Sequence, residues 1–238
     1  MTKQDFIQRV LTILNEADNV IDGATLIGAD MVKIDLYVEN LYPAAWRRAV
    51  NVLPRHFFKS YSFAGQPHVQ NKPQGTGYVV LPDDFLVLTS FKMRGWDSAC
   101  LVLQPETPAI NSRQANEYTR GTWKRPVCVR RVIVDSTSLT KPKDVLFYYS
   151  MWRTDSLTDH GSDSLTDHGS TSLTDHIYEI ETALYIKNVK ALTETGGTVD
   201  IDERLIEPLA YLTASTVLTS MEKYDLAKML DQKFTEIA

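Results

Sequence analysis

The sequence predicts an α+β protein in which helices from both chain ends form one core, with an antiparallel β-rich region inserted between them. Apolar residues recur at helical spacing in residues 3–53 and 200–237. By contrast, residues 77–152 hold short runs rich in Val, Ile, Tyr and Phe, separated by turn residues. We therefore expect an N-terminal helical part (1–58), a β-rich insertion (59–199) and a C-terminal helical part (200–238) that packs on the first.

Two helices are predicted at the N-terminal end. The first covers residues 3–17 and the second residues 30–53, which Pro54 ends. Pro43 lies inside the second helix and should kink it, because proline removes a backbone hydrogen bond. The apolar face of the first helix is Phe6, Val10, Ile13, Leu14 and Ala17.

The insertion begins with residues 60–76, whose Gly, Pro, Gln and Asn content predicts a long loop. Strands are predicted at 77–81, 85–93, 99–103, 126–134 and 144–152, which together indicate an antiparallel sheet of four or more strands. Residues 177–192 fit a helix or a strand. We favour a strand paired with residues 145–152, because a stronger helix start follows.

That helix start is the capping-box pattern of Asp200 and Glu203. The helix should run to about Val217, with a kink at Pro208. A final helix is predicted over residues 222–237. Its inward face is Tyr224, Ala227, Leu230, Phe234 and Ile237.

The composition of the chain argues against several classes of protein. The chain has 238 residues, 43% of them hydrophobic, and a net charge of −5, so neither overall disorder nor bulk attraction to nucleic acid is expected. No apolar run approaches membrane-spanning length, and the N-terminus lacks signal-peptide features. We therefore expect a protein that is made and used in a cytoplasm. Cys100 and Cys128 are expected to be buried free thiols rather than a disulfide, and neither belongs to a CxxC zinc motif.

A tandem repeat of period eight occupies residues 155–176, with three copies of Ser-Leu-Thr-Asp-His. One leucine per copy cannot build a core, so we expect a protruding loop. Its Asp-His pairs leave metal binding open, and a neutral duplication is a second alternative. We favour a third interpretation, in which Leu157, Leu165 and Leu173 dock on a neighbouring subunit or partner.

No motif of a catalytic site is present. The chain lacks nucleotide-binding glycine loops, HExxH and GxSxG, and Asp83-Asp84 fits a turn better than a catalytic pair. We therefore expect no enzyme activity, no cofactor and no metal. Two basic-aromatic stretches remain. One holds Arg47 and Arg48, and the other holds Arg125. The pattern favours a solvated face or partner salt bridges over binding of single-stranded nucleic acid.

Three stretches carry a resemblance to a known family. They are Tyr-Pro-Ala-Ala-Trp at 42–46; Gly-Tyr-Val-Val-Leu-Pro-Asp-Asp-Phe at 77–85 with Phe-Lys-Met-Arg-Gly-Trp at 91–96 and Arg-Pro-Val at 125–127; and residues 205–211 with 222–230. Together they resemble virion proteins of crAss-like, short-tailed double-stranded DNA phages, in particular the ring or adaptor protein beneath the portal.

The resemblance implies a helical core with a β-rich insertion and a twelve-fold homo-oligomeric ring. It also implies contacts with the portal protein on one side and with tail or further ring proteins on the other. Double-stranded DNA would pass through the lumen without sequence recognition. The protein would belong to the neck or tail of the virion and assemble in the host cytoplasm. The resemblance implies no catalytic residues and does not include the repeat.

Overall fold

The computed structural model describes residues 1–20, 31–71, 75–116, 118–134, 142–150, 179–190, 192 and 201–237. Within these ranges the chain has five α-helices and eight strands in two sheets, which confirms the α+β class. The chain forms two compact units. The helical unit comprises Met1–Lys59 and Lys187–Ala238, and the β unit comprises Ser60–Ile186. The helical unit thus resumes at Lys187, where the sequence led us to expect residue 200.

The helical unit is organised around one central helix. Its helices are α1 (Lys3–Val20), α2 (Met31–Val52), α4 (Glu203–Ser220) and α5 (Tyr224–Ile237). Helix α4 packs on all three others, and Leu209, Leu212 and Val217 on it have no solvent exposure. Burying apolar side chains of this size is the main stabilising contribution to such a core.

The predicted apolar faces agree with the structure in α1, where every named residue is buried. In α5 two residues were predicted wrongly, since Tyr224 is 64% exposed and Ile237 is 46% exposed. They occupy the two ends of the helix. The buried stripe consists of Leu226, Ala227, Leu230 and Phe234.

The cap of α4 also differs from the expectation. The N-cap is Asp202, whose carboxylate accepts a hydrogen bond of 3.0 Å from the backbone N–H of Arg204. Glu203 is the first helical residue, and not the third residue after the N-cap, which is the place that the predicted capping box assigned to it. Asp200 itself lies outside the described residues. Hydrogen bonds from the Arg204 side chain and backbone lower the pKa of Asp202 to about 2.

The β unit contains two sheets. A five-stranded sheet has the order β2-β3-β7-β6-β5 and a three-stranded sheet the order β1-β8-β4. The strands are β1 (Tyr61–Ser62), β2 (His68–Asn71), β3 (Thr76–Val80), β4 (Phe85–Met93), β5 (Leu103–Pro105), β6 (Val127–Ile133), β7 (Lys143–Tyr149) and β8 (Ile180–Lys187). The predicted antiparallel arrangement is right for most of the larger sheet and wrong for β5, which runs parallel to β6.

Residues 180–187 form a strand, as favoured, but its predicted pairing is wrong. Strand β8 pairs with β1, with Tyr61 opposite Tyr185 and Ser62 opposite Leu184. The predicted partner, β7, has β3 on one edge and β6 on the other. Because a strand has only two hydrogen-bonding edges, β7 has no edge left for β8.

Three shorter elements also depart from the sequence prediction. Strands β1 and β2 lie inside the stretch predicted as a loop. The strand predicted at 99–103 is replaced by a single bridge between Phe91 and Cys100, followed by β5. Helix α3 (Pro108–Ala115) was not predicted, because it has no apolar stripe at helical spacing and none of its residues is buried.

The core of the β unit is rich in aromatic side chains. Phe63 stacks on Phe91, and Phe85 stacks on Tyr185, with ring centroids 6.1 and 5.6 Å apart. Cys100 and Cys128 lie in this core as buried free thiols, as predicted.

One position in this core requires glycine. A Cβ at Gly77 would lie 2.3 Å from the hydroxyl oxygen of Tyr148 and 2.6 Å from the carbonyl oxygen of Val69. Strand β3 can therefore approach its neighbours only with glycine at this position.

Candidate partner-binding surface

The predicted residue Arg125 lies in a tight turn of the β unit. Two backbone hydrogen bonds close the turn, one from Thr122 to Arg125 (3.1 Å) and one from Arg125 to Thr122 (3.0 Å). A neighbouring loop, at residues 97 and 98, donates two more hydrogen bonds to the backbone of this turn. The N–H of Asp97 donates to the Trp123 carbonyl (3.2 Å), and the hydroxyl of Ser98 donates to the Lys124 carbonyl (2.8 Å). The turn is thus fixed at both of its central residues.

The segment before this turn is fixed as well. The N–H of Gly121 donates to the side chain of Gln114 (2.8 Å), and the hydroxyl of Thr119 donates to the Arg113 carbonyl (2.8 Å). A Cβ at Gly121 would lie 2.5 Å from the backbone carbonyl oxygen of Tyr149. Only glycine allows this close approach, so the loop is held against the end of β7.

Helix α3 supplies the remaining side of this region. Pro108 stands at its first turn, and the Thr107 hydroxyl caps it by accepting from the Ile110 N–H (3.3 Å). Both features favour a helix start at this point. Its last turn carries Arg113, whose carbonyl anchors the loop through Thr119.

We define the basic turn surface as Arg113, Tyr118, Lys124 and Arg125. All four side chains are exposed, and Tyr118 is 95% exposed. The Lys124 ammonium lies 5.0 Å from the centre of the Trp123 ring, a cation–π contact. No carboxylate of the described residues forms an ion pair with Arg113, Lys124 or Arg125. Cations on a rigid backbone with an exposed aromatic ring suit an acidic partner.

The other two cations predicted for partner binding belong to the helical unit. The guanidinium of Arg48 forms an ion pair of 2.7 Å with Asp231, which also accepts a hydrogen bond of 2.6 Å from Ser215. Arg47 donates to the side chain of Asn188 at 3.2 Å. Arg48 thus ties α2 to α5 within the unit. Leu157, Leu165 and Leu173 lie outside the described residues.

Two further arginines of the second basic stretch also have acidic partners inside the β unit. Arg130 forms an ion pair with Asp144 across β6 and β7. Arg131 pairs with Glu106 at 3.0 Å, and its guanidinium lies 4.4 Å from the centre of the Phe147 ring. The sequence shows the cluster of charge, but it cannot show these partners, which lie far away along the chain.

An open cleft of about 800 Å³ lies at one end of the larger sheet, beside the Arg130–Asp144 ion pair. Its lining contains positively and negatively charged side chains together with apolar ones, among them Val80, Leu81 and Phe85. Asp83 also faces it, whereas the hydroxyl of Tyr185 donates to the neighbouring Asp84 at 2.8 Å. The Asp83-Asp84 pair thus divides between two environments, which fits the turn predicted there rather than a catalytic pair.

Four further ionisable side chains lie elsewhere in the β unit, of which Tyr148, Cys100 and Cys128 are buried and His68 is half-buried. His68 and the Tyr148 hydroxyl share a hydrogen bond of 3.0 Å, and burial lowers the pKa of His68. Burial raises the pKa of the Cys128 thiol, whereas a hydrogen bond with Cys128 lowers the pKa of Cys100. The Cys100 thiol also lies 3.1 Å from the Pro126 carbonyl, within reach of a hydrogen bond. The His68–Tyr148 pair could not be predicted from the sequence, since the two residues are 80 positions apart.

No group of three or more His, Cys, Asp or Glu side chains in the described ranges is arranged to hold a metal ion. None of the described helices is both long and apolar enough to cross a bilayer. The repeat, with its three histidines, lies outside these ranges.

Comparison with models of known protein families and with curated proteins finds no match for this chain.

Proposed function

We propose that this chain is a structural subunit of a phage head-to-tail connector, a homo-oligomeric ring that passes double-stranded DNA without reading its sequence, and that it is not an enzyme. The observation that carries the proposal is the discontinuous helical unit. It is built from both chain ends, with a β unit inserted between its halves. This is the architecture implied by the resemblance to crAss-like phage ring proteins, which is carried by residues 42–46, 77–85, 91–96, 125–127, 205–211 and 222–230.

The exposed chemistry of the β unit supports an assembly role. The basic turn surface is rigid and carries cations that have no partner among the described carboxylates. Rigid, charged, partly aromatic surfaces favour recognition of another protein surface, since little conformational entropy is lost on binding. In a closed ring, each subunit presents such a surface to a neighbouring protein. Portal and tail proteins are the further partners proposed, in the neck or tail of a virion assembled in the host cytoplasm.

The alternative is a nucleic-acid-binding module that uses the basic-aromatic stretches. Three arginines of those stretches, Arg48, Arg130 and Arg131, have carboxylate partners within their own units. A paired guanidinium contributes less to phosphate binding, because the existing ion pair must first be broken. The basic turn surface alone would neutralise few phosphates, which predicts a shallow salt dependence of DNA affinity.

Electron microscopy of the purified protein, alone and mixed with the portal protein of the same phage, tests the proposal. We expect closed rings, of about twelve subunits by the resemblance, seated on the portal. A protein that stays monomeric and leaves the portal bare at micromolar concentration would refute it. DNA affinity that falls steeply with salt would instead favour the nucleic-acid-binding module.

A further inference from the structure

We propose that the basic turn surface is the docking site for the acidic repeat, residues 155–176, of the same chain. This inference does not depend on the connector function; where the chain also forms rings, a neighbouring protein would meet the basic turn surface with the repeat docked on it. It rests on the charges of the two parts and on the places where the chain enters and leaves the repeat.

The charges of the two parts are complementary. The repeat contains five aspartates and no lysine or arginine, the aspartates being Asp155, Asp159, Asp163, Asp167 and Asp175. The basic turn surface carries three cations, at Arg113, Lys124 and Arg125. Opposite charges on exposed groups attract over about 10 Å at 0.1 M salt.

The chain enters the repeat beside this surface. The last residue of β7, Tyr149, lies opposite Val127, two positions beyond Arg125. The Tyr149 carbonyl also abuts Gly121, which directly precedes the turn. Ser150 is fixed by its N–H, which donates to the Gly75 carbonyl at 2.8 Å. Asp155 is five residues further on, so it is at most about 18 Å from Ser150.

The chain also leaves the repeat near this surface. The carbonyl of Glu179 accepts from the Arg94 N–H (2.8 Å), and its carboxylate forms an ion pair with the Arg94 guanidinium (3.0 Å). The backbone N–H of Asp97, three residues after Arg94, donates to the Trp123 carbonyl in the turn. Three residues span at most about 11 Å. The described residues that flank the repeat, Ser150 and Glu179, are thus both anchored near the same turn.

This anchoring favours the repeat of the same chain over that of a second copy. A tethered segment of this length has an effective concentration in the millimolar range. A second copy at micromolar concentration would need an affinity about a thousandfold higher to compete, and exposed ion pairs do not provide it. The exposed ring of Tyr118 adds an apolar contact for the leucines of the repeat.

Zero-length coupling with a carbodiimide tests the proposal on the full chain. The reagent joins the Lys124 amine to an aspartate carboxylate as an amide and takes up the released water as a urea. Equal amounts of protein grown in ¹⁴N and ¹⁵N are mixed before coupling. We expect Lys124 linked to an aspartate of the repeat, with both peptides carrying the same isotope. The yield should fall about tenfold in 1 M salt, where charges are screened within about 3 Å.

Two variants separate docking from mere proximity. Lys124→Arg keeps the charge but removes the amine, so this cross-link should disappear. Arg113→Ser with Arg125→Ser keeps the amine and the tether but removes two cations, and the Lys124 yield should fall at least threefold. An unchanged yield in this double variant would mean that tethering alone explains the cross-link and would overturn the proposal. So would an absence of cross-links at low salt, or mixed-isotope pairs, which would identify a second copy as the occupant. Ring formation by the double variant is scored separately by microscopy, so failure of either proposal leaves the other testable.

Discussion

Replacing Leu209 by alanine should destabilise the helical unit by about 2–5 kcal/mol. The side chain has no solvent exposure and lies on α4, the helix that packs on α1, α2 and α5. Its truncation removes buried apolar surface and leaves a cavity among four helices, which can close only if several of them move. Total stability of a domain is about 5–15 kcal/mol, so this loss is a large fraction of it.

Urea unfolding followed by far-ultraviolet circular dichroism measures the effect, because four of the five described helices belong to the helical unit. With a denaturant slope of about 2 kcal/mol per molar urea, the midpoint should fall by about 1–2.5 M. Leu36→Ala makes the same chemical change at a position that is 57% exposed on α2, and should shift the midpoint by less than about 0.3 M. Equal shifts in the two variants would refute the assignment of α4 as the centre of the core.

Three further predictions concern a glycine, a helix cap and the repeat. Gly121→Ala should destabilise the β unit by about 1–3 kcal/mol in thermal melting, because the new Cβ would clash with a backbone carbonyl. Gly65→Ala is the control and should be neutral, because a Cβ at Gly65 would have nothing within 4 Å. A larger loss in the Gly65 variant than in the Gly121 variant would contradict the close approach at Gly121. The pKa of Asp202 is lowered from 3.8 to about 2 in the folded protein, so its contribution to stability is present above pH 4 and lost as the pH falls through 2. Asp202→Asn should therefore make the melting temperature depend less on pH between 4 and 2, and an unaltered profile would count against this. Deletion of residues 156–170 should leave the melting temperature nearly unchanged, because shortening a loop costs little free energy. The same deletion should weaken co-assembly with portal and tail proteins. A large fall in melting temperature would show instead that the repeat belongs to the core.

The helices could be predicted because their signal is local. In α1, Phe6, Val10 and Leu14 recur on one face, and all three are buried. A helix forms hydrogen bonds only within itself, so its own residues suffice to reveal it. Helix α3 lacks such a face, since none of its residues is buried, and for that reason it escaped prediction.

Strand pairing could not be predicted, because its hydrogen bonds join distant segments. The composition of residues 180–187 indicates a strand, but nothing in those residues specifies β1 rather than β7 as its partner. Strand β1 has only two residues, in a stretch whose glycine and proline content favoured a loop. Whether a strand pairs there depends on which edges remain available in the folded sheet.

The candidate surface was predictable only in part for the same reason. The sequence singled out Arg47, Arg48 and Arg125 by their basic and aromatic neighbours. The structure distinguishes them, because Arg48 pairs with Asp231, 183 positions away, whereas Arg125 lies in a turn closed by short-range hydrogen bonds. Charge clusters are visible in a sequence, but the partners that neutralise them are not.

The helical unit cannot finish folding until its second half has left the ribosome, which delays its folding. Helices α1 and α2 are synthesised first, yet α4, the helix that packs on both of them, begins at Glu203, 151 positions after α2 ends at Val52. At about 5–20 residues per second, this delay lasts about 8–30 s. During that time Phe6, Ile34 and Val38, each buried in the finished protein, remain uncovered on the nascent chain. The β unit, in contrast, is continuous, and its first strand closes on its last at Tyr185. It can therefore complete its fold while the helical unit is still waiting for its C-terminal half, and the nascent N-terminal helices are the segment on which a chaperone would act.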